Sequence, residues 1–221
     1  MGSKKTFLKR MWKFLWHEDS LASWIANIVL AFIIIKFIIY PLLSVMFGTS
    51  LPLVAVVSCS MEHQFTDCGE SDSPEVLCSS QGSGFVSDDI YWKQCGNFYE
   101  TRNISQDRFE KFPFDDGFNK GDVIVLKGKD PYSIEVGDVL IFEAKAERSY
   151  PIIHRVIDTR TANGSHVFET KGDHNPTQIN NSRVNEYSIS EDDVIGVGMV
   201  RIPYVGYLKI WFVKLLSVMG L

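Results

Sequence analysis

The chain has 221 residues, 45% of them hydrophobic and 22% charged, with 16 Gly and 8 Pro, which excludes a disordered tail, a collagen-like repeat and a coiled-coil filament. The net charge of −5 conceals an asymmetry: the first 47 residues carry Lys4, Lys5, Lys9, Arg10, Lys13 and Lys36 against only Glu18 and Asp19, so the remainder is more acidic than the total. An acidic body argues against nucleic acid as a partner, because tracking phosphates takes a basic working face.

Residues 1–23 read as a basic tail. Trp24 to Phe47 (WIANIVLAFIIIKFIIYPLLSVMF) is a 24-residue stretch with one charge, Lys36, and roughly 20 apolar residues suffice to cross a bilayer. The stretch is too long, and ends too bulky, for a cleaved signal peptide. Residues 24–47 are therefore expected to be a retained transmembrane anchor. The preceding lysines and arginine set the amino terminus in the cytoplasm, so the chain after about residue 48 is expected outside, in a single-pass arrangement at the cell membrane. Lys36 lies near the outer third of the span, where its stem can lift the ammonium toward headgroups. The start MGSKKT fits an N-myristoylation pattern, but a chain already anchored by a helix gains little from one acyl chain.

Beyond the anchor the pattern changes to short β-branched runs punctuated by Gly-Asp turns. Residues 54–58, 122–127, 138–143, 152–158, 166–171 and 194–202 all read as strands, so residues 48–202 are expected to be an extracytoplasmic β domain. Gly121-Asp122 and Gly137-Asp138 each open a strand, glycine supplying backbone freedom and aspartate local hydrogen bonding. Residues 62–116 interrupt the pattern with twelve Asp/Glu against four Lys/Arg and Ser/Gly tracts, and read as an inserted subdomain or surface excursion. This insert holds Cys68, Cys78 and Cys95. Their spacing is not that of a zinc site, and an outer location permits one disulfide among the three, with the pairing open. Asn103, Asn163 and Asn180 begin glycosylation sequons and mark surface candidates. The carboxyl end, residues 203–221 (PYVGYLKIWFVKLLSVMGL), is apolar with Lys209 and Lys214 inside it. It suits a helix lying in the membrane interface better than a second crossing, with a packed C-terminal helix as the alternative.

Three stretches carry candidate chemistry. Val56-Val57-Ser58-Cys59-Ser60-Met61-Glu62 ends the first strand and offers Ser60 as a nucleophile, with its backbone N–H and the Ser58 hydroxyl to stabilise an oxyanion. A polar strand terminus would account for the same residues. Ile152-Ile153-His154-Arg155-Val156-Ile157 supplies a base: alternation sends His154 to one face with Ile152 and Val156, and Arg155 to the other. Thr170-Lys171-Gly172-Asp173-His174-Asn175-Pro176 places an acid in a turn after a strand, able to orient an imidazole. Cys59 is not the nucleophile expected here, since strand alternation turns it from the Ser58 and Ser60 side. His17 is expected in the cytoplasm, His63 belongs to the insert, and His166 and His174 lack Cys/His partners at ligand spacing, so neither metal nor organic cofactor is expected.

Taken together these stretches resemble the type I signal peptidases, and the resemblance runs over nearly the whole chain. An anchor, S-x-S-M at residues 58–61, two Gly-Asp-Val strands, an (H/K)-R-V-I strand, a K-G-D-x-N turn and a closing R-I-P-Y-V-G-Y element follow in that family's order. His154 stands where bacterial members have lysine, as in the archaeal and endoplasmic-reticulum branch, and the long Cys-containing insert in a single chain looks archaeal. The resemblance implies a signal-peptidase-like catalytic β domain that removes signal peptides after small residues by acyl-enzyme hydrolysis. It implies Ser60 as nucleophile, His154 as base and Asp173 as the acid supporting it. The implied partners are secretory preproteins, the lipid bilayer and the secretion translocon. The chain departs from the family in three places: Cys59 replaces the glycine between the serines, His63 replaces a proline, and Ile179 occupies the place of a second aspartate. Asp173, or another acid such as Asp192 or Asp193, is left to orient His154. The alternatives are a non-catalytic membrane-tethered β binding module or degenerate subunit, and a self-cleaving serine protein of the same fold, whose lysine base and soluble partner domain are not visible.

Overall fold

A computed structural model describes residues 2–63, 88–145, 151–162, 164–207 and 211, with residues 2–8 and 88–89 described by backbone only. The chain divides into two units, Met1–Met46 and Phe47–Leu221. In the first, the basic beginning is a helix, α1 (Gly2–His17), where the sequence suggested only a tail. Helix α2 (Leu21–Ile34) starts at Ser20, whose hydroxyl accepts from the Ser23 N–H at 3.2 Å. The Ser23 hydroxyl and the Asn27 amide donate back to the carbonyls of Phe14 and Leu15 at 2.6 and 2.8 Å, satisfying acceptors that the end of α1 leaves open.

Helix α2 runs through a π-helical stretch, Ile35–Ile39, into α3 (Tyr40–Phe47). The widening has a cause in Pro41, which has no N–H for the Phe37 carbonyl and whose ring crowds that oxygen in a regular helix. Tyr40 accordingly donates five residues back, to Ile35. Leu21–Phe47 is continuous over 27 residues with a mean hydropathy of 2.6, and is the one helix among the described residues long and apolar enough to cross a membrane.

The second unit is built on one seven-stranded antiparallel sheet: β1 (Leu53–Ala55), β2 (Val123–Lys127), β3 (Val139–Phe142), β4 (Ile152–Ala162), β5 (Ser165–Lys171), β6 (Ile189–Ser190) and β7 (Val194–Ile202), in the order β1-β2-β7-β3-β4-β5-β6. Six of these match the strands read from the sequence, and the two-residue β6 was not anticipated. Gly121 and Gly137 have φ of 95° and 106°, so the turns opening β2 and β3 require a residue that tolerates the left-handed region.

All four residues of β3 are buried, because the sheet is covered on both faces. Val139 and Ile141 join Val54, Val56, Met61, Phe118, Ile124 and Leu126 on one side. Leu140 and Phe142 join Ile134, Val156, Phe168, Ile189 and Val197 on the other. The insert is not merely an irregular excursion. It contains α4 (Asp88–Glu100) and α5 (Gln106–Phe109), so the domain is mainly rather than wholly β. Tyr91, Cys95 and Tyr99 form the buried stripe of α4 and pack with Ile104, Phe109 and Ile157 in a third cluster, the spacing of one helical face. Asn103 and Asn180 are exposed, whereas Asn163 and most of the carboxyl-terminal segment lie outside the described residues. Among those described, Tyr207 seals the β2 turn: a Cβ on Gly121 would meet its ring at 2.2 Å.

Candidate active site

Beyond Ala55 the chain leaves the sheet, held by the Val56 N–H on the Asp122 carbonyl at 2.8 Å, and turns at Cys59–Glu62, where the Glu62 N–H reaches the Cys59 carbonyl at 2.9 Å. Ser58 and Ser60 project from this turn with their hydroxyl oxygens 3.3 Å apart. Cys59 lies between them but is buried and disulfide-bonded. The turn and its crosslink, rather than strand alternation, remove its sulfur from the chemistry. Cys95 on α4 is also disulfide-bonded. Cys59 therefore joins the disulfide chemistry expected of the insert cysteines, whose pairing stays open, since Cys68 and Cys78 lie outside the described residues.

Ser58, Ser60 and His154 line one cleft of about 340 Å³, together with Asn175. Its other walls are apolar, formed by Ala55, Val56, Met61, Phe118, Ile152, Ile153 and Ile179. Two elements meet there. The Ser60 carbonyl accepts from the His174 N–H at 2.9 Å, which fastens the serine turn to the turn after β5. Gly172 fills the space between them: a Cβ on it would lie 2.6 Å from the Ser60 carbonyl oxygen, 2.7 Å from Asn175 Nδ2 and 2.8 Å from His154 Nε2. Only the absence of a side chain lets the Ser60 backbone and the imidazole approach a common point.

His154 is paired across the sheet with Leu140 and is almost wholly buried. Its Nδ1 is hydrogen-bonded to Glu186 Oε1. With Glu186 ionised and the imidazole neutral, Nδ1 is the donor of this bond and Nε2 is left to accept.

Asp173, expected to support the imidazole, is engaged elsewhere. Its carboxylate accepts from Arg155 Nη2 at 2.6 Å and Nε at 3.0 Å, from the Tyr99 hydroxyl at 2.8 Å, and is paired with His63 Nε2 at 3.0 Å. The reason lies in β4: His154 and Arg155 are adjacent on a strand and point to opposite faces, so the acid that meets one is on the wrong side for the other. Burial works to raise the Asp173 pKa, but the Arg155 guanidinium and the hydrogen bonds from His63 and Arg155 overcome it and hold the carboxyl far below the carboxylate range. Asp192 and Asp193 stand in a 3-10 turn before β7 and do not take the place of Glu186 on Nδ1.

The Arg155 face is closed by the insert. Tyr91 donates to the Asp173 carbonyl at 3.1 Å and stacks on His63 with ring centroids 3.7 Å apart, so His63 belongs to the support of the acid turn. Arg155 also donates to the carbonyls of Pro113, Phe114 and Gly137 and lies over the Phe109 ring at 4.9 Å. Lys171 is fully buried, donating to the carbonyls of Gly172 and Asp173 at 2.9 and 3.2 Å, with the rings of Phe98 and Tyr99 each 5.0 Å away. Burial lowers its pKa to about 8, against the opposing pull of Asp173 and Glu186. Among the described residues no group of three or more His, Cys, Asp or Glu is arranged to hold a metal ion.

No family model matches the chain. The curated proteins to which it is similar include subunits named signal peptidase complex catalytic subunit SEC11. It is 33% identical to that of Eremothecium gossypii over 96 residues, 42% of this chain and 56% of the relative. The figures are 31% over 96 residues for Yarrowia lipolytica and 34% over 100 residues for Zygosaccharomyces rouxii. The chain thus spans a little over half the length of the curated relatives it matches. Over that stretch the chain, an apolar helix followed by a mainly β domain, is similar to subunits named signal peptidase complex catalytic subunit.

Proposed function

We propose that the protein is a membrane-anchored serine endopeptidase that removes signal peptides from secreted preproteins. The observation that carries this reading is the convergence of Ser60 and His154 on one cleft, with the imidazole Nδ1 hydrogen-bonded to Glu186. In the reaction, Ser60 Oγ attacks the carbonyl carbon before the scissile bond and its proton passes to His154 Nε2. The C–N bond then breaks, the proton goes to the leaving amine, and an acyl-enzyme remains. A water molecule, deprotonated by the same imidazole, attacks the ester and restores Ser60. The Ser58 hydroxyl and the Ser60 N–H supply the hydrogen bonds to the oxyanion. Small side chains before the cut suit a cleft walled by Ala55, Val56 and Ile153, along which an extended peptide pairs by its backbone.

The helix Leu21–Phe47 serves as the anchor, with the basic start in the cytoplasm and the β domain on the other side. Disulfides at Cys59 and Cys95 suit that compartment. The lipid bilayer and the secretion translocon are the surroundings this topology calls for. The test is cleavage of a preprotein in detergent micelles, with the new amino terminus sequenced, for the intact protein, Ser60→Ala and His154→Ala. Cutting after a small residue by the intact protein, with a loss of about 10⁴-fold in each variant, is expected. An inert intact protein, or undiminished cutting by Ser60→Ala, overturns the reading in favour of a tethered binding module.

A further inference from the structure

We propose that Glu186 is the positioning carboxylate of the catalytic group, the residue that fixes the tautomer of His154 and balances the imidazolium formed during acyl transfer. This rests on the peptidase reading and names the acid within it. Oε1 accepts from His154 Nδ1 and from the Thr170 hydroxyl, the latter at 2.9 Å, and Oε2 accepts from the Ile179 N–H at 2.6 Å. The main chain is fixed equally well. The Glu186 N–H reaches the Ile179 carbonyl at 2.9 Å, and the Glu186 carbonyl accepts from the Thr170 N–H at 2.9 Å and the Gln178 amide at 3.1 Å. Glu186 is fully buried, so these contacts are not diluted by water.

The two buried acids divide the work by face. Asp173 lies against a permanent cation, Arg155, and that pair is satisfied whether or not a reaction occurs. The ion-pair partner of Glu186 among the described residues is a group that changes charge in turnover, His154. When Nε2 receives the Ser60 proton, a cation appears on a side chain only 3% exposed, and an uncompensated charge there would be costly. Glu186 keeps its hydrogen bond throughout and does not itself become protonated.

Glu186→Gln tests this. Its amide NH₂ must face either the Ile179 N–H, donor against donor, or Nδ1, where it would force the imidazole proton onto Nε2 and disable the base. The expected result is a fall in kcat of roughly 10³- to 10⁴-fold, the scale of an amide replacing a triad carboxylate, with KM little changed. Thr170→Val, which keeps the shape and removes one donor, should lower kcat about fivefold, as the loss of a bond of about 1 kcal/mol predicts. The intact protein, labelled with ¹⁵N-histidine, should show His154 protonated at Nδ1 with a strongly downfield proton resonance that is absent from His154→Ala. That readout needs no folded Glu186 variant, and an Nε2-protonated His154 in the intact protein overturns the proposal. Glu186→Gln with near-normal kcat while Ser60→Ala is inactive overturns it and leaves the peptidase reading standing. Retained activity in Ser60→Ala overturns both.

Discussion

Gly172→Ala is the sharpest probe of the site's geometry, because it adds one methyl group and changes no charge. The new Cβ would lie 2.6 Å from the Ser60 carbonyl oxygen and 2.8 Å from His154 Nε2. Non-bonded carbon contacts are comfortable near about 3.5 Å, so each neighbour, or the Gly172 backbone between them, must give by several tenths of an ångström. The carbonyl cannot retreat freely, since it accepts from the His174 N–H at 2.9 Å. The imidazole cannot either, since Glu186 holds its other nitrogen. Overpacking of this kind costs about 1 to 3 kcal/mol, and a misplacement of reacting groups approaching 1 Å costs about 10²-fold in rate. The expected outcome is a protein that still melts cooperatively, a few degrees lower, with kcat on a preprotein substrate reduced by about two orders of magnitude. Thermal melting and single-turnover cleavage in micelles measure the two effects separately. A variant with unaltered kcat would show that the reacting atoms do not meet beside Gly172, and the assignment of Ser60 with His154 would fall.

Further outcomes follow from the face of the sheet that carries Arg155 and Lys171. Asp173→Asn leaves the Arg155 guanidinium buried and short of its counter-charge, and should destabilise the fold by about 3 to 5 kcal/mol; chemical denaturation is the measurement. Because the folded-state pKa of Asp173 is depressed, its stabilisation is fully present above the ordinary carboxylate value and fades as pH falls below it. The variant should therefore lose less stability than the intact protein between neutral and acid pH. For Lys171, with a folded pKa lowered from 10.5 to about 8, the unfolded chain binds more protons between those values. The melting temperature of the intact protein should gain a rising contribution over that window, and Lys171→Met should remove it.

Much of the frame was legible because its signals are local. The six longer strands follow from β-branched runs, two of them opened by Gly-Asp turns, and the long apolar helix from length and apolarity alone. Alternation along β4 correctly separates His154 from Arg155. The same rule carries the consequence that the acid near Arg155 is not the acid near His154, but which carboxylate reaches which face depends on how the chain returns after β5. Glu186 stands in an irregular stretch, brought to His154 by main-chain bonds between Thr170 and Glu186 and between Glu186 and Ile179. No spacing or motif announces such a contact. The helix in the insert did have a signal, Tyr91, Cys95 and Tyr99 at four-residue intervals, but it was masked by the acidic and Ser/Gly-rich sequence before it.

The aromatic cover supplied by α4 and α5 bears on how this protein could be shortened. The rings of Phe98, Tyr99 and Phe109 rest on Lys171 and Arg155, which project from the backs of the two strands whose fronts carry Thr170 and His154. Excising the insert to leave the sheet alone would expose a buried guanidinium and a buried amine together and take the Tyr99 hydroxyl from Asp173. A pared-down version would need both cations exchanged for apolar residues in the same step. Variation in the length of this region is thus coupled to the composition of the strands beneath it, and trimming and repacking would have to proceed as one change.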